Sequence, residues 1–459
     1  MSSSKSWQDP SPVWQPREYA VLAGLLVFTF VVHAASPVVT STDSAWTFHL
    51  AASSLLEGDL DLDEYRPLMD LDLDYRLRMM GGHVYYYYPA ATPLLVTPVV
   101  LLMNVVFSAS RPDDFYAYLA DHGPNAQTAR LEKLVASAIV ALATALMYLV
   151  ARRFLTLRAS ILLALIFAFA TSMWSTASRA LWQHGPSALL LLIALYLTLA
   201  TSRGGWSIFA TGLILAFAYL VRPTNSISFA FFGLYHLLNN RRQAWLYALG
   251  SLVVLVPYAA QNWAAYGNIF PPYSYQLFER LGTLLAVGEA MPGTLLSPNR
   301  GLFVFTPIFL FSIYGGYAAA KGGGWNRVNL DLYLIGILLA HWITTSLFED
   351  WGGAWSIGPR YFVDMIPFLV YLLIPVLKSR ILDHSWTRYA FVLTLAVSTL
   401  VQVRCSVSPY PFMWNGKPQA LVDAPERKWD WGDLQILRGL CPQDPLEGRA
   451  PACWWESVE

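Results

Sequence analysis

The chain has 459 residues, 56% of them hydrophobic and only 13% charged, with a mean hydropathy of +0.42. A soluble globular domain carries about 25% charged residues, so a disordered chain, a secreted disulfide scaffold and an ordinary cytosolic enzyme are excluded. Lys+Arg and Asp+Glu balance at 30 each, so net charge singles out no partner, and no nucleic acid is expected.

A bilayer-spanning helix needs about 20 mostly apolar residues. After a polar stretch over 1–17, the first such run covers 18–36 and reads as a signal anchor rather than a cleaved leader. Further spans are expected over 132–151, 159–177, 186–201, 207–221, 226–238, 244–260, 301–319, 330–347, 361–377 and 388–404, about eleven in all. One more apolar run, 90–107, holds Pro93 and Pro98 and is ambiguous.

Positive charge decides how to read that run, because short cytoplasmic loops collect Lys and Arg. With the N-terminus cytoplasmic and 90–107 not crossing, five basic clusters fall inside: Arg152/Arg153/Arg158, Arg203, Arg241/Arg242, Lys321/Arg327 and Lys378/Arg380/Arg388. The run is therefore expected to be a juxtamembrane or re-entrant helix. The expected organisation is a cytoplasmic segment 1–17, a transmembrane domain 18–404 and an extracytoplasmic tail 405–459. Residues 37–131 form one large first extracytoplasmic loop. Three cysteines (Cys405, Cys441, Cys453) are too few for a four-thiolate metal site. In an outside tail Cys441 and Cys453 form either a disulfide or two free thiols.

The loops assigned to the outer face hold most of the unusual polar residues. The first loop opens with Ser41-Thr42-Asp43-Ser44 and continues through Gly58-Asp59-Leu60-Asp61-Leu62-Asp63 and a second Asp-Leu alternation at 70–74. It then reads Gly81-Gly82-His83-Val84-Tyr85-Tyr86-Tyr87-Tyr88-Pro89. Later loops contribute Arg179 with Gln183-His184, then Arg222, Arg300 and Arg360. Arginines at an outer membrane surface run against the usual charge bias and suit bidentate phosphate binding. Each also has a plainer reading as a snorkelling or ion-paired residue. Asp43 is a candidate acid/base group or a helix N-cap, roles that are not exclusive. Period-two Asp-Leu alternation suggests half-buried strands of a hairpin more than a metal motif. The tyrosines read as an interfacial belt or as a sugar-stacking surface.

The segment from Asp43 to Pro93 resembles the first-loop signature of the GT-C glycosyltransferases. It is most similar to family 39, the protein O-mannosyltransferase and aminoarabinose transferase families. The residues that carry the resemblance are Asp43-Ser44, Leu55-Leu56-Glu57-Gly58-Asp59, and Gly82-His83-Val84-Tyr85 through Pro89. Ser297-Pro298-Asn299-Arg300-Gly301 and Trp351-Gly352-Gly353 through Gly358-Pro359-Arg360-Tyr361 resemble segments of bacterial membrane proteins in the same superfamily.

The resemblance implies an all-α polytopic GT-C fold with an extracytoplasmic site on a multi-pass cell-membrane protein. It implies an inverting transfer of a sugar from a polyprenyl-phosphate donor to a glycan, lipid or protein acceptor. No metal or other cofactor is expected. Asp43 matches the catalytic base, and Arg360, Arg300, Arg222 and Arg179 are the candidates for the donor phosphate. Tyr87, Tyr88, Gln183 and His184 are candidate substrate contacts. Two departures stand out: tyrosines replace the lysine that often precedes the proline, and Gln183-His184 replaces a second-loop Asp. The alternative from another class is a transporter or flippase of a lipid-linked or anionic solute. It would call for internal repeats and mid-membrane charges. Asp364, His236 and His341 are mid-span exceptions to a polar set otherwise at one face.

Overall fold

The computed structural model describes residues 15–71, 74–110, 114–200, 204–274, 282, 284–324 and 329–440. Cys441 and Cys453 lie outside these residues, as do Arg203 and Arg327.

The architecture is a helical bundle with one elaborated loop. Helix α1 (Pro16–Ala35) leads into that loop, which holds α2 (Thr47–Leu56), a hairpin of β1 (Leu77–Met80) and β2 (His83–Tyr86), α3 (Ala91–Ser110) and α4 (Phe115–Asp121). The bundle resumes with α5 (Ala126–Ala151), α6 (Leu157–Phe169), α7 (His184–Leu199), α8 (Gly205–Val221), α9 (Ser226–Asn239) and α10 (Ala244–Tyr266). It closes with helical segments Leu310–Gly323, Leu330–Ser346, Arg360–Lys378 and Ser385–Val407. Among the described residues, six helices are long and apolar enough to cross a membrane, and five shorter apolar helices accompany them. Helical segments occupy all eleven expected spans, and the chain is a multi-pass membrane protein.

Local signals set several of these ends. Asn125 Oδ1 accepts from the amides of Gln127 and Thr128 at 2.8 and 3.2 Å, while Thr128 Oγ1 accepts from Asn125 N. This reciprocal cap fixes the start of α5. Gly267, with φ +65°, ends α10 in the left-handed conformation. Helices α8 and α10 cross closely. A Cβ on Gly212 would lie 2.1 Å from the Tyr247 carbonyl, and one on Gly250 2.1 Å from that of Phe209. Small residues at such crossings let backbones approach where lipid supplies no hydrophobic drive.

The main core lies among α5, α6, α7 and the 362–376 segment, around Phe167, Leu191, Phe309 and Phe368. A second core seats the first loop on α5: Trp46, Phe48 and Phe115 pack with Val96, Val100, Val135 and Ile139. Burying each large side chain of this kind stabilises by about 1.5–3 kcal/mol. Helix α3 packs on α2 and α4. It meets the bundle through Ala91, beside Leu190, Ala218 and Val221, and leaves Leu101, Leu102, Val105 and Val106 exposed. Helix α3 is itself one of the six helices long and apolar enough to cross a membrane.

The hairpin is not where the acidic alternation led. Strands form from 77–80 and 83–86 around a Gly81-Gly82 turn. The first alternation contributes a single bridge, Asp61 to Tyr85, followed by a 3₁₀ turn at Asp63–Leu68. Leu62 is fully buried while the aspartates flanking it are not. The period-two signal therefore recorded alternating burial rather than a strand.

Charges separate between the two ends of the bundle. Arg152 pairs with Glu18, Arg153 Nη1 donates to the Leu199 carbonyl at 2.7 Å, and Lys378 sits 6.0 Å from the Phe154 ring. Asp43, Arg222 and Arg360 gather at the opposite end.

Candidate functional site

Asp43 follows α1 in a tight turn, not at a helix cap: α2 begins at Thr47 with Trp46 in the cap position. Its carboxylate is therefore available for other work. Tyr75 Oη donates to Asp43 Oδ1 at 3.0 Å, and Arg360 Nη1 lies 3.4 Å from Oδ2. Tyr86 Oη donates to the Asp43 carbonyl. Burial and then the charge of Asp43 push the Tyr75 and Tyr88 phenols well above their ordinary value, so both stay protonated donors at neutral pH.

The turn is held from behind by Glu132, fully buried in the second turn of α5. One of its carboxylate oxygens accepts from Ser41 Oγ at 2.7 Å, the other from Ser44 Oγ at 2.5 Å. Two hydroxyls flanking Asp43 are thus anchored on one buried carboxylate. Arg76 adds a bond from Nη1 to the Thr42 carbonyl at 3.2 Å and is itself fixed by Asp74. Asp74 also accepts from Trp46 Nε1 at 2.8 Å. Burial alone would raise the Asp74 carboxyl, but the bonds from Arg76 and Trp46 hold it below the usual range.

Asp43 opens onto a cleft of about 640 Å³. Of the candidate residues, Tyr88, Gln183, His184, Arg222 and Arg360 also line it. The two arginines are differently committed. Arg222 Nε lies 2.9 Å from Asp364, and its Nη1 contacts the His184 ring. Asp364 stands in the 3₁₀ turn Arg360–Met365 that opens the 360–378 segment, not mid-span as expected, and there it neutralises Arg222 and orients the pair. Arg360 instead lies against aromatic faces, 5.5 Å from the Trp182 ring and 5.7 Å from that of Tyr361. Its buried Nε makes no hydrogen bond. Gly353 makes room for it: a Cβ there would stand 3.0 Å from Arg360 Cγ, and the residue has φ +75°.

Two predicted phosphate ligands are not brought to this cleft. Arg300 is fully buried elsewhere, donating to Asn299 O at 2.7 Å, Gln435 Oε1 at 2.9 Å, Ala354 O at 3.2 Å and Asn415 Oδ1 at 2.5 Å. Four hydrogen bonds from its two terminal nitrogens to carbonyl and amide oxygens make it a structural tie. Arg179 is also buried, with Nη1 on the carbonyls of Ser175 and Cys405 at 2.9 and 3.0 Å. Tyr87 lines a neighbouring cleft instead.

Asp61, Asp63 and His83 come together with ligand atoms within 4.8 Å of one another. Asp63 already takes Arg66 at 2.8 Å and the Val84 amide at 2.8 Å, which accounts for its charge within the loop.

Sequence reasoning did not single out Glu132, Tyr75, Trp182 or Tyr273. Only Glu132 carried a signal, as an acidic residue at the lip of an apolar run.

No family model matches the chain, and no curated protein matches it. Among solved structures it is similar to the crystal structure of ArnT from Cupriavidus metallidurans bound to undecaprenyl phosphate. The identity is 16% and the TM-score 0.49, over 87% of this chain and 65% of that one. The chain thus spans just under two thirds of the solved protein's length.

Proposed function

We propose that the protein is an inverting glycosyltransferase using a polyprenyl-phosphate sugar, working at the extracytoplasmic membrane face. The observation that carries this reading is the pairing, in one cleft, of a carboxylate free of capping duty with a guanidinium 3.4 Å from it. Asp43 and Arg360 provide these two groups, and the first-loop resemblance to the GT-C enzymes supports the same roles.

The chemistry follows from the geometry. Asp43 accepts the proton of an acceptor hydroxyl as its oxygen attacks the anomeric carbon. The bond between that carbon and the phosphate oxygen breaks, and its electron pair leaves with the polyprenyl phosphate. The growing charge on the leaving oxygen is met by Arg360, with Arg222 behind it. Attack opposite the leaving group inverts the anomeric centre. Tyr75 keeps the carboxylate oriented, and Gln183 and His184 supply polar contacts to the sugar.

Asp43→Asn should abolish transfer from a polyprenyl-phosphate sugar in reconstituted vesicles while the protein still folds and binds the donor. Full activity in that variant would remove Asp43 as the base, and absence of transfer by the parent protein would sink the reading. A flux assay on the same vesicles reports the competing outcome: movement of the lipid-linked solute without transfer would mark a transporter.

A further inference from the structure

A second cleft lies behind the wall formed by the tyrosines of the hairpin. Tyr85 and Tyr87 line it from the hairpin side. Tyr258, Tyr266 and Tyr273 line it from the last turns of α10 and the segment that follows. The rings meet edge to face: Tyr85 and Tyr266 at 4.9 Å and 67°, Tyr87 and Tyr273 at 5.5 Å and 69°. In such a pair one ring keeps both faces clear of its partner. The Gln261 and Asn262 side chains add amide groups between the rings.

The two clefts are continuous in their walls. Tyr86, Tyr88, Pro89 and Tyr273 line both. Tyr86 is also the residue whose hydroxyl reaches the Asp43 backbone. The two clefts are thus separated by a wall one residue thick, with Asp43 lining the far side.

The lining selects among chemical classes. A pyranose has a flat C–H face and a rim of hydroxyls, which complement phenyl faces set among phenol and amide groups. An anionic headgroup needs several cations, and Arg78 is the sole basic side chain among the described lining residues. Arg78 already donates to the carbonyls of Tyr75 and Leu77 and lies 4.6 Å over the Tyr87 ring. A peptide that binds by strand addition needs an open strand edge. The outer edge of β2 is occupied, with Leu62 N bound to the Val84 carbonyl and Val84 N to Asp63, both at 2.8 Å.

We propose that this tyrosine cleft binds the acceptor and that the acceptor is a carbohydrate chain. The role as acceptor rests on the transferase reading above; the carbohydrate binding does not.

The test uses the full chain in lipid nanodiscs, titrated with hexamers of α-1,4-glucose, β-1,4-glucose, β-1,4-N-acetylglucosamine and α-1,6-mannose. A Ser/Thr hexapeptide and phosphorylethanolamine run in parallel, with saturation-transfer NMR as readout. At least one oligosaccharide should saturate at millimolar concentration or below. Removing one stacking ring, in Tyr266→Ala, should weaken it roughly five- to tenfold. Tyr266→Phe should change it less than about twofold, which separates loss of the ring from loss of the hydroxyl. Asp43→Asn should bind it like the parent protein. The proposal is overturned if no oligosaccharide saturates by about 10 mM, if Tyr266→Ala leaves binding unchanged, or if the peptide or headgroup binds more tightly. Absence of sugar transfer by the parent protein together with intact carbohydrate binding would remove the transferase reading and leave this site standing.

Discussion

Asp43 depends on a residue that never faces the cleft. Glu132 holds Ser41 and Ser44, so it acts as a positioning residue for the carboxylate between them. Glu132→Gln keeps the volume but can accept from only one of the two hydroxyls at its amide oxygen. Its kcat should fall roughly tenfold with the donor KM nearly unchanged, the pattern expected when only transition-state geometry is lost. Glu132→Asp, which restores a carboxylate, should recover part of that rate. Steady-state kinetics on both variants checks this. Glu132→Ala should also cost about 1–3 kcal/mol of stability, since two buried hydroxyls lose their acceptor. The arginines allow a sharper contrast. Arg360→Gln should lower kcat/KM by roughly 10²–10³, the usual effect of deleting one preorganised charge-stabilising donor. Arg300→Gln should instead lower the melting temperature, measurable by thermal unfolding of the two proteins side by side. Sequence alone treated these two arginines as equals, because both stand beside glycines in outer loops. What separates them is which partners fold against each one: Asn415 and Gln435 reach Arg300, and both lie more than a hundred residues further along the chain.

At the level of elements, the helices were legible and the first loop was only partly so. An apolar run of about 20 residues has few alternatives to a helix in lipid, since every backbone group must be satisfied within the segment. The run 90–107 forms α3, which packs on α2 and α4 and is long and apolar enough to cross a membrane; only the charge in the loops around it marks it as non-crossing. The hairpin was misplaced because Leu62 and Asp63 alternate in burial without strand geometry, while the strands recruit Arg78 and His83. The hairpin also has an acid limit. The folded-state carboxyl of Asp74 lies below its unfolded value of 3.8. Its contribution is therefore complete above that value and is lost as pH falls below it through the folded value. Hydrogen exchange at 74–86 should accelerate in that acid window. In Arg76→Gln the acceleration should begin at a higher pH. The α8–α10 crossing makes a separate demand: Gly250→Val drives a side chain into the Phe209 carbonyl, so α10 must shift. Loss of thermal stability in that variant would be accompanied by loss of the Tyr258–Tyr266 face.

Across the whole molecule, residues 408–440, beyond the last long helix, tie distant loops together. Gln435 donates from Nε2 to the Ser356 and Pro411 carbonyls at 2.8 and 2.9 Å and accepts from Gly358 N at 3.0 Å. Asn299 Nδ2 holds the Arg427, Asp430 and Asp433 carbonyls at 2.8–3.2 Å. Residues 408–440 thus bind the loop that ends in Arg360 to the loop at 297–301. Deleting 408–440 should abolish activity through the loss of this scaffold, and Gln435→Ala should show a milder form. Protease sensitivity of the 348–360 loop, compared with the parent protein, reports it. The sequence offered no sign of this role, since a short Trp- and Pro-rich segment has no periodicity to read and its partners are distant.

The shared wall between the two clefts has a thermodynamic consequence. Tyr88 and Tyr273 face both spaces and touch each other at 5.8 Å. An occupant that fixes these rings on one side fixes them on the other. Whatever factor a bound ligand in one cleft adds to affinity in the other must be returned in equal measure. The partition would then be a linkage device: donor and acceptor each change the affinity of the other by the same factor.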